Sequence, residues 1–312
     1  MLTVIMPVFN AMPYLAEAVR SVLSQDIDGV ELLALDGGSS DGSLDYLRGL
    51  DDGRVRVLAF PRLGLGATLE AGLEACGTPL FARMDADDRC DPTRLRKQVA
   101  FLASHPEVGM VGTQFRYIGA GGAVVPSPVM PCDHDAIARG LDEKKLTLVH
   151  GSLVARTETV RGAGGYRVRG MGEDWDMFLR VGERTRLANL PERLYEWRLH
   201  DRNAELPHLM DQQIGIDFAC ECARRRRQGI PEIDFDAFVA QSERRSLLGR
   251  LLKRADVYSI AQYRLARSTI AGGRPAAGYA RLAFGIACSP PRALRRVRRA
   301  LAHKARPQDG GD

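Results

Sequence analysis

Residues 80–88 read LFARMDADD, an apolar run that ends in the carboxylates of Asp85, Asp87 and Asp88. A short apolar run of this kind is typical of a strand buried inside a parallel sheet. Open α/β sheets bind ligands at the carboxyl ends of their strands, which is where these carboxylates stand. Because like charges packed together repel, the cluster predicts a bound Mg²⁺ or Mn²⁺ that also contacts substrate phosphates. The alternative is a solvated acidic turn before the next helix.

The segments on either side of this stretch alternate between strand and helix patterns. Helical spacing, as in Leu15, Val19 and Val22, predicts one helix from Pro13, one over residues 68–75 and one from Asp91-Pro92. The β-α-β-α order predicts an α/β fold with a mostly parallel sheet flanked by helices. Short apolar runs predict the strands at residues 3–6, 31–35, 55–59, 80–84 and 108–111.

The chain changes character after about residue 206. Before that point, the patterns predict a hairpin or loop over residues 119–131, strands over 152–155 and 195–199, and a helix around Trp175. Beyond it, the sequence is rich in Arg and Ala and predicts helices. We therefore expect an α/β domain over residues 1–205 and a helical, basic C-terminal extension over residues 206–312.

Composition and charge are those of a soluble globular protein of 312 residues, with 45% hydrophobic and 27% charged residues. The six cysteines lack zinc-ribbon and CxxC spacing, and neither a signal peptide nor a transmembrane-length segment is evident, which predicts a cytoplasmic location. The net charge of +5 is concentrated in residues 224–227 and 292–306. The basic tail predicts either a contact with anionic lipid at the inner face of the plasma membrane or a solvated helix face. No motif indicates nucleic-acid binding.

Eight short motifs follow one another along the chain: VIMPVFN (4–10), SVLSQ (21–25), DGGSSDGS (36–43), ARMDADD (82–88), RLRKQ (94–98), GGY (164–166), EDWD (173–176) and YEWRLH (195–200). In their order and spacing, these motifs resemble bacterial glycosyltransferase family 2. The resemblance extends over about residues 2–203 and does not cover the tail. It implies a GT-A fold and a metal-dependent, inverting transfer of a sugar from a nucleotide-sugar donor to an acceptor hydroxyl.

The resemblance also implies roles on the donor side. Asp87 matches the metal ligand, and His200 matches a histidine that approaches the metal or the diphosphate, with a surface histidine as the alternative. A divalent cation would stabilise the negative charge that grows on the nucleoside diphosphate as the sugar leaves. Contacts with the nucleotide-sugar are implied for Pro7, Phe9, Asp36, Asp85 and Ala86.

On the acceptor side, Asp174 matches the catalytic base that takes the proton of the acceptor hydroxyl. We expect it just before a helix over residues 175–181, whose positive end would keep the carboxylate ionised. The alternative is a plain helix N-cap. Further acceptor-side candidates are His150, Glu173 and Trp175, although a tryptophan in this position is also typical of a core residue. The acceptor implied is a glycan or a lipid-linked sugar.

Two departures from the family pattern concern the donor. Gly37 stands where many members have a second acid, and Leu69-Glu70 stands where many have Arg-Asn or Leu-Asn. UDP, the commonest nucleotide in the family, is the expected donor nucleotide. Two other functions stay open: a sugar-nucleotide nucleotidyltransferase, although the Gly-rich basic loop of such enzymes is missing after the first strand, and a non-catalytic nucleotide-sugar-binding protein.

Overall fold

The computed structural model describes residues 1–167, 172–200, 209–244 and 246–290. The chain forms two compact units, one of Met1–Arg198 with Asp211–Phe235 and one of Leu199–Met210 with Asp236–Asp312. The boundary expected between residues 205 and 206 lies outside the described residues and stays a prediction. Because residues 211–235 belong to the first unit, that unit continues beyond the α/β segment.

The described strands and helices are bounded as follows. The strands are β1 Leu2–Val8, β2 Val30–Asp36, β3 Val55–Ala59, β4 Leu80–Arg83, β5 Arg89–Cys90, β6 Val108–Gly119, β7 Val124–Val125, β8 Val154–Arg156 and β9 Arg186–Leu199. The helices are α1 Leu15–Leu23, α2 Ser43–Arg48, α3 Leu65–Ala75, α4 Arg94–Ser104, α5 His134–Asp142, α6 Thr157–Gly162, α7 Glu173–Gly182, α8 Leu209–Arg227, α9 Phe235–Glu243, α10 Leu247–Ala271 and α11 Pro275–Cys288.

A single sheet runs through the described part of the first unit in the order β3-β2-β1-β4-β8-β6-β9-β5, with β7 paired to β6. Strands β3, β2, β1 and β4 are parallel, whereas β8, β7 and β5 pair with their neighbours in antiparallel fashion. The predicted α/β class is confirmed, and the sheet is mixed: its first half is the parallel part that the sequence predicted. The register aligns Val8 with Asp36 and Ile5 with Arg83, so these strands end at one edge.

Helices cover both faces of the sheet because the central strands are apolar on both sides. In β1, Val4 and Met6 belong to one core and Ile5 to the other, as the two-residue period of a strand requires. The first core also contains the predicted apolar face of α1, whose three residues are at most 1% exposed. The second core contains residues of α3, α5 and α7. The two cores hold the carboxyl edge of the sheet in a fixed arrangement.

Several local predictions differ from the structure: α1 begins at Leu15 rather than at Pro13, and α3 begins at Leu65 rather than at residue 68. Helix α4 begins at Arg94, because the carboxylate of Asp91 accepts hydrogen bonds from Thr93 and closes a turn before the helix. Helix α7 begins at Glu173, which puts Asp174 inside its first turn rather than before it. In the predicted strand at residues 195–199, apolar Tyr195, Trp197 and Leu199 alternate with polar residues that include Arg198, a pattern typical of a half-buried strand with Arg198 on its exposed side, but Arg198 is 2% exposed.

The second unit contains the pair α10 and α11. In the described residues, no helix combines the length and the hydropathy needed to span a membrane. The basic tail at residues 292–306 lies outside the described residues, so its two alternatives stay open.

Candidate active site

The carboxyl ends of β1 and β2 hold a buried carboxylate. Asp36 is 1% exposed, and its Oδ2 accepts hydrogen bonds from the backbone N–H groups of Gly38 (3.0 Å) and Ser39 (3.1 Å). Gly38 adopts a φ of 91°, which favours glycine in this turn. The other oxygen, Oδ1, is buried and has no hydrogen-bond partner in the part of the chain that the structure describes. A buried acceptor is costly when unpaired, so Asp36 offers this oxygen to a ligand donor.

An exposed aromatic residue directly follows β1 at the strand end that pairs with Asp36. Phe9 follows Val8, the register partner of Asp36, and its side chain is 53% exposed with the Arg62 guanidinium 5.9 Å from the ring centroid. Asn10 fixes this loop, because its Oδ1 accepts from the N–H of Ser40 at 2.8 Å. Pro7 is half-buried within β1. A flat base could stack on Phe9 while Asp36 accepts a hydrogen bond from it.

The three carboxylates after β4 lie in different environments. Asp88 is 2% exposed, and it accepts hydrogen bonds from the Tyr195 hydroxyl (2.5 Å) and the Arg198 N–H (2.7 Å). Burial, together with the charges of Asp87 and Asp85, raises the pKa of Asp88 well above its ordinary value. Asp85 and Asp87 are half-buried, and Ala86 between them is buried. Asp88 therefore anchors the loop, while Asp85 and Asp87 are the carboxylates that a ligand can approach.

Arg198 holds this acidic loop from the other side. Its Nε donates to the carbonyl of Asp87 at 2.8 Å and its Nη1 to the carbonyl of Ala120 at 3.1 Å. Its Nη2 forms an ion pair with Glu17 of α1, and its guanidinium lies 4.6 Å from the Tyr14 ring centroid. These contacts fix the backbone on which Asp87 is placed.

A buried arginine lies beneath Asp85. Arg83 is 1% exposed, its Nη2 donates to Asp85 Oδ1 at 2.8 Å, and its Nη1 donates to the carbonyl of Met84. Its positive charge favours ionisation of Glu173 and Asp174 and lowers the pKa of His150. Arg83 is thus the buried cation that compensates the carboxylates converging on this edge.

The first turn of α7 presents two adjacent carboxylates. Glu173 is 7% exposed, and burial, together with the charge of Asp174, raises its pKa to about 7. Asp174 is half-buried, and its Oδ1 accepts a hydrogen bond from the Trp175 N–H at 2.7 Å. Burial raises the pKa of Asp174, the Trp175 N–H and Arg83 oppose that shift, and the charge of Asp85 adds to it. The structure therefore places Asp174 close enough to the loop after β4 for the charge of Asp85 to affect its ionisation.

Two of the acceptor-side candidates, His150 and Trp175, lie in different environments. His150 is half-buried, and its Nε2 lies 2.8 Å from the Tyr166 hydroxyl. Burial and the charge of Arg83 hold the pKa of His150 well below its ordinary value, so the ring is neutral. Trp175 is 7% exposed, and its Nε1 donates to the carbonyl of Leu141 at 3.2 Å within the second core. The structure does not bring Trp175 to the site, in agreement with its core alternative.

The family model and the similar proteins that match this chain indicate the same protein family. Residues 3–160 match the family described as "Glycosyl transferase family 2". EpsE of Bacillus subtilis (strain 168), named as a glycosyltransferase, is 33% identical over 250 residues, which cover 75% of this chain and 84% of EpsE. The chain belongs to glycosyltransferase family 2. The O-antigen biosynthesis glycosyltransferase WbnJ of Escherichia coli is 28% identical over 212 residues, which cover 66% of this chain and 82% of WbnJ.

The family 2 chain also has the fold of solved relatives. The S. aureus TarS 1–349 crystal structure superposes with a TM-score of 0.59 and 15% identity, covering 89% of this chain and 88% of TarS. The same TarS fragment has been crystallised with UDP and with UDP-GlcNAc. This likeness confirms the GT-A fold that the motifs implied.

The donor set of this family 2 site fits a hard divalent cation. In the ranges 1–167, 172–200, 209–244 and 246–290, no group of three or more His, Cys, Asp or Glu side chains could hold a metal ion by itself. Mg²⁺ ordinarily needs only one or two carboxylates, since substrate phosphates and water complete its coordination. Asp87, with Asp85 two residues earlier, meets that requirement. His200 directly follows β9, and its role as a ligand stays a prediction.

Four residues of this site were missed by the sequence analysis: Arg83, Gly151, Tyr195 and Arg198. Gly151 is required because a Cβ there would lie 1.9 Å from the Tyr195 hydroxyl and 2.5 Å from Asp85 Oδ2. Tyr195 contacts the acidic loop across a sequence separation of 107 residues. Arg83, Tyr195 and Arg198 lie inside the motifs ARMDADD and YEWRLH, so their membership of these motifs was the available signal.

The raised pKa of Glu173 predicts a pH dependence of stability. A carboxyl group whose pKa rises from 4.5 to about 7 on folding stabilises the protein fully below pH 4.5 and loses that contribution as the pH rises through 7. Between pH 5 and pH 8, the free energy of unfolding of the Glu173→Gln variant should therefore rise by on the order of 2–3 kcal/mol relative to that of the wild type. Urea unfolding at several pH values measures this difference. Glu158→Gln, at an 81% exposed side chain, is the control, and parallel curves for wild type and Glu173→Gln would contradict the prediction.

Proposed function

We propose that this family 2 protein is an inverting, metal-dependent hexosyl- or N-acetylhexosaminyltransferase. It moves a sugar from a UDP-sugar to a hydroxyl of a glycan or lipid-linked acceptor during assembly of a bacterial surface polysaccharide or glycolipid. It acts in the cytoplasm. The observation that carries the proposal is that Asp36 and the Asp85-Asp87 loop follow β2 and β4 at one edge of the sheet, where the buried charge of Arg83 acts on both Asp85 and Asp174.

The chemistry follows from what these residues can do. Asp36 and Phe9 offer the nucleoside a hydrogen-bond acceptor and a stacking surface at the ends of β2 and β1. The acceptor oxygen attacks the anomeric carbon, and the bond to the diphosphate oxygen breaks with its electron pair on the leaving group. Asp174 accepts the proton of the attacking hydroxyl. Direct displacement inverts the configuration at the anomeric carbon.

Asp87, supported by Asp85 and His200, would hold Mg²⁺ or Mn²⁺. The cation would supply charge stabilisation to the departing diphosphate. Arg198 contributes by fixing the backbone carbonyl of Asp87, and Asp88 contributes by anchoring the loop to Tyr195. These contacts keep the Asp87 carboxylate in place at little entropic cost when the donor binds.

The choice of UDP is supported by the TarS complexes with UDP and UDP-GlcNAc, and by the commonness of UDP in the family. The site has one acid, Asp36, where many family members have two, because Gly37 replaces the second. Recognition of the base therefore rests on one carboxylate oxygen, the Phe9 ring and backbone groups. The surface-polysaccharide role is supported by the similarity to WbnJ, an O-antigen biosynthesis glycosyltransferase.

The experiment is a donor panel. The purified protein is incubated with Mn²⁺ or Mg²⁺ and UDP-, GDP-, dTDP- and CMP-sugars, and free nucleotide is measured. We expect release from one UDP-sugar, loss of that release with EDTA, and a decrease of at least ~10²-fold in Asp87→Ala. Asp91→Ala, which removes an exposed acid in the turn before α4, is the matched control and should retain the wild-type rate.

The other outcomes are equally informative. Release of a different nucleotide would replace UDP as the donor nucleotide, and activity in EDTA would remove the metal from the proposal. Metal-dependent binding of UDP without turnover would mean that the acceptor is needed for catalysis. If the protein bound none of these nucleotides, a degenerate, non-catalytic member of the family would be the better interpretation.

A further inference from the structure

Helices α10 and α11 of the second unit form a hairpin whose two helices pack closely at glycine residues. A Cβ at Gly278 would lie 2.3 Å from Cγ1 of Ile270, and one at Gly285 would lie 3.1 Å from Cβ of Gln262. Residues seven positions apart lie on one face of a helix, so the glycine face of α11 is the face against α10. The opposite face of α11 is directed away from α10.

That opposite face is apolar. Four exposed alanines run along it at helical spacing, at positions 276, 280, 283 and 287. Of the 16 large hydrophobic side chains that are exposed in the described residues, seven lie on α10 and α11. Three of the seven, Tyr279, Phe284 and Ile286, lie on α11 beside these alanines, and we call the four alanines together with these three residues the hairpin face. Soluble monomers rarely concentrate exposed apolar side chains in this way without a partner.

One ring of the hairpin face contacts α10. The ring of Phe284 on α11 contacts the ring of Tyr258 on α10 edge-on, with centroids 5.9 Å apart. Both side chains nevertheless remain more than half exposed, at 53% and 51%. The contact between α10 and α11 therefore leaves these apolar side chains largely exposed to solvent.

The charge of this segment identifies the partner. Residues 246–290 contain seven Lys or Arg residues and a single acid, Asp256. Residues 246–312 contain 14 basic and three acidic residues, whereas residues 1–245 contain 30 basic and 36 acidic residues. A second copy of the hairpin would bring like charges together, and a nucleic acid would leave the apolar side chains without a partner. An anionic lipid surface satisfies both features, since it offers negative headgroups over an apolar layer.

We propose that the hairpin face docks on the surface of an anionic phospholipid bilayer, with Tyr279, Phe284 and Ile286 entering the interface and the basic side chains of the hairpin contacting headgroups. This inference deepens the proposed function, because it names the membrane surface at which the enzyme would meet a lipid-linked acceptor. Only this statement about the acceptor rests on the proposed function. Vesicle binding is measured without donor or acceptor, so failure of this inference and failure of the proposed function are distinguishable.

The test is flotation of the full-length protein with vesicles. Vesicles of phosphatidylcholine containing about one third phosphatidylglycerol are compared with vesicles of phosphatidylcholine alone. The variant Tyr279→Ser/Phe284→Ser/Ile286→Ser removes the apolar contact, and Val124→Ser/Val129→Ser/Leu146→Ser changes three exposed apolar residues of the first unit as a control. Circular dichroism and thermal unfolding establish that each variant is folded.

We expect wild type and the control variant to float with the anionic vesicles, and the α11 variant to partition at least ~10-fold less. Binding to phosphatidylcholine alone should also be at least ~10-fold weaker. Flotation of the α11 variant at the wild-type level, or no flotation of wild type, would overturn the proposal. A wild-type dimer that the α11 variant converts to monomer, without flotation, would identify a second copy as the occupant and would also overturn it.

Discussion

Asp174→Asn is expected to lower the rate of nucleotide release from the preferred donor by at least ~10³-fold. The substitution keeps the size of the side chain and its hydrogen bond with the Trp175 N–H, but removes the carboxylate that accepts the hydroxyl proton. Because Asp174 acts on the acceptor and not on the donor, the Kd of UDP should stay within about twofold of wild type. Steady-state kinetics and UDP titration measure the two quantities.

The pH profile gives an independent readout for Asp174. Since burial raises the pKa of Asp174, the wild-type rate should rise with pH above the ordinary range of an aspartate as the base loses its proton. The residual rate of Asp174→Asn should lack that rise. Asp135→Asn, at an exposed acid in the first turn of α5, is the control and should behave as wild type. A rate within tenfold of wild type in Asp174→Asn would assign the base to another group, Glu173 being the nearest.

The Arg83→Met variant is expected to lose both stability and catalytic activity. Methionine fills much of the same space but leaves Asp85, Glu173 and Asp174 without their buried countercharge. Removing one partner of a buried ion pair costs about 3 kcal/mol, which corresponds to a decrease in Tm of roughly 6–12 °C for a unit of this size. Displacement of the loop by about 1 Å should lower the catalytic rate on the order of 10²-fold.

A matched variant separates the local role of Arg83 from a general loss of stability. Arg156 is a half-buried arginine that donates to backbone carbonyls of Leu102 and Val108, away from the carboxylates. Arg156→Met should lower Tm while the rate at 20 °C below its own Tm stays near wild type. Arg83→Lys, which keeps the charge, should recover part of the activity. If Arg83→Met lost stability but retained the wild-type rate, Arg83 would be a structural residue only.

Much of the first unit could be predicted from the sequence because its patterns are local. The strands β1, β2 and β3 were found within two residues of their ends, since each is a short apolar run between turn residues. The buried face of α1 followed from helical spacing alone. The position of Asp36 and of the acidic loop at the carboxyl ends of two strands also followed, because parallel neighbouring strands end at the same edge.

The second half of the sheet was predicted less well, for a physical reason. Strand β9 has 14 residues, and only its last five carried a recognisable alternation. Its pairing with β5 sets Glu196 opposite Arg89 and so carries Arg198 over the acidic loop. No local pattern specifies that register, which depends on where two distant segments meet. Arg198 therefore seemed an exposed arginine and is a buried one.

By itself, the sequence determined the α/β class, the family and the set of carboxylates, because periodicity, turn residues and motif order are properties of short segments. The tertiary structure alone decided which groups control those carboxylates. These contacts depend on sheet register and close packing: Arg83 lies beneath Asp85, Tyr195 and Arg198 donate to Asp88, and Gly151 packs against Tyr195 and Asp85. Such contacts join residues up to 110 positions apart, and their effect on ionisation comes from burial, which only the folded chain creates.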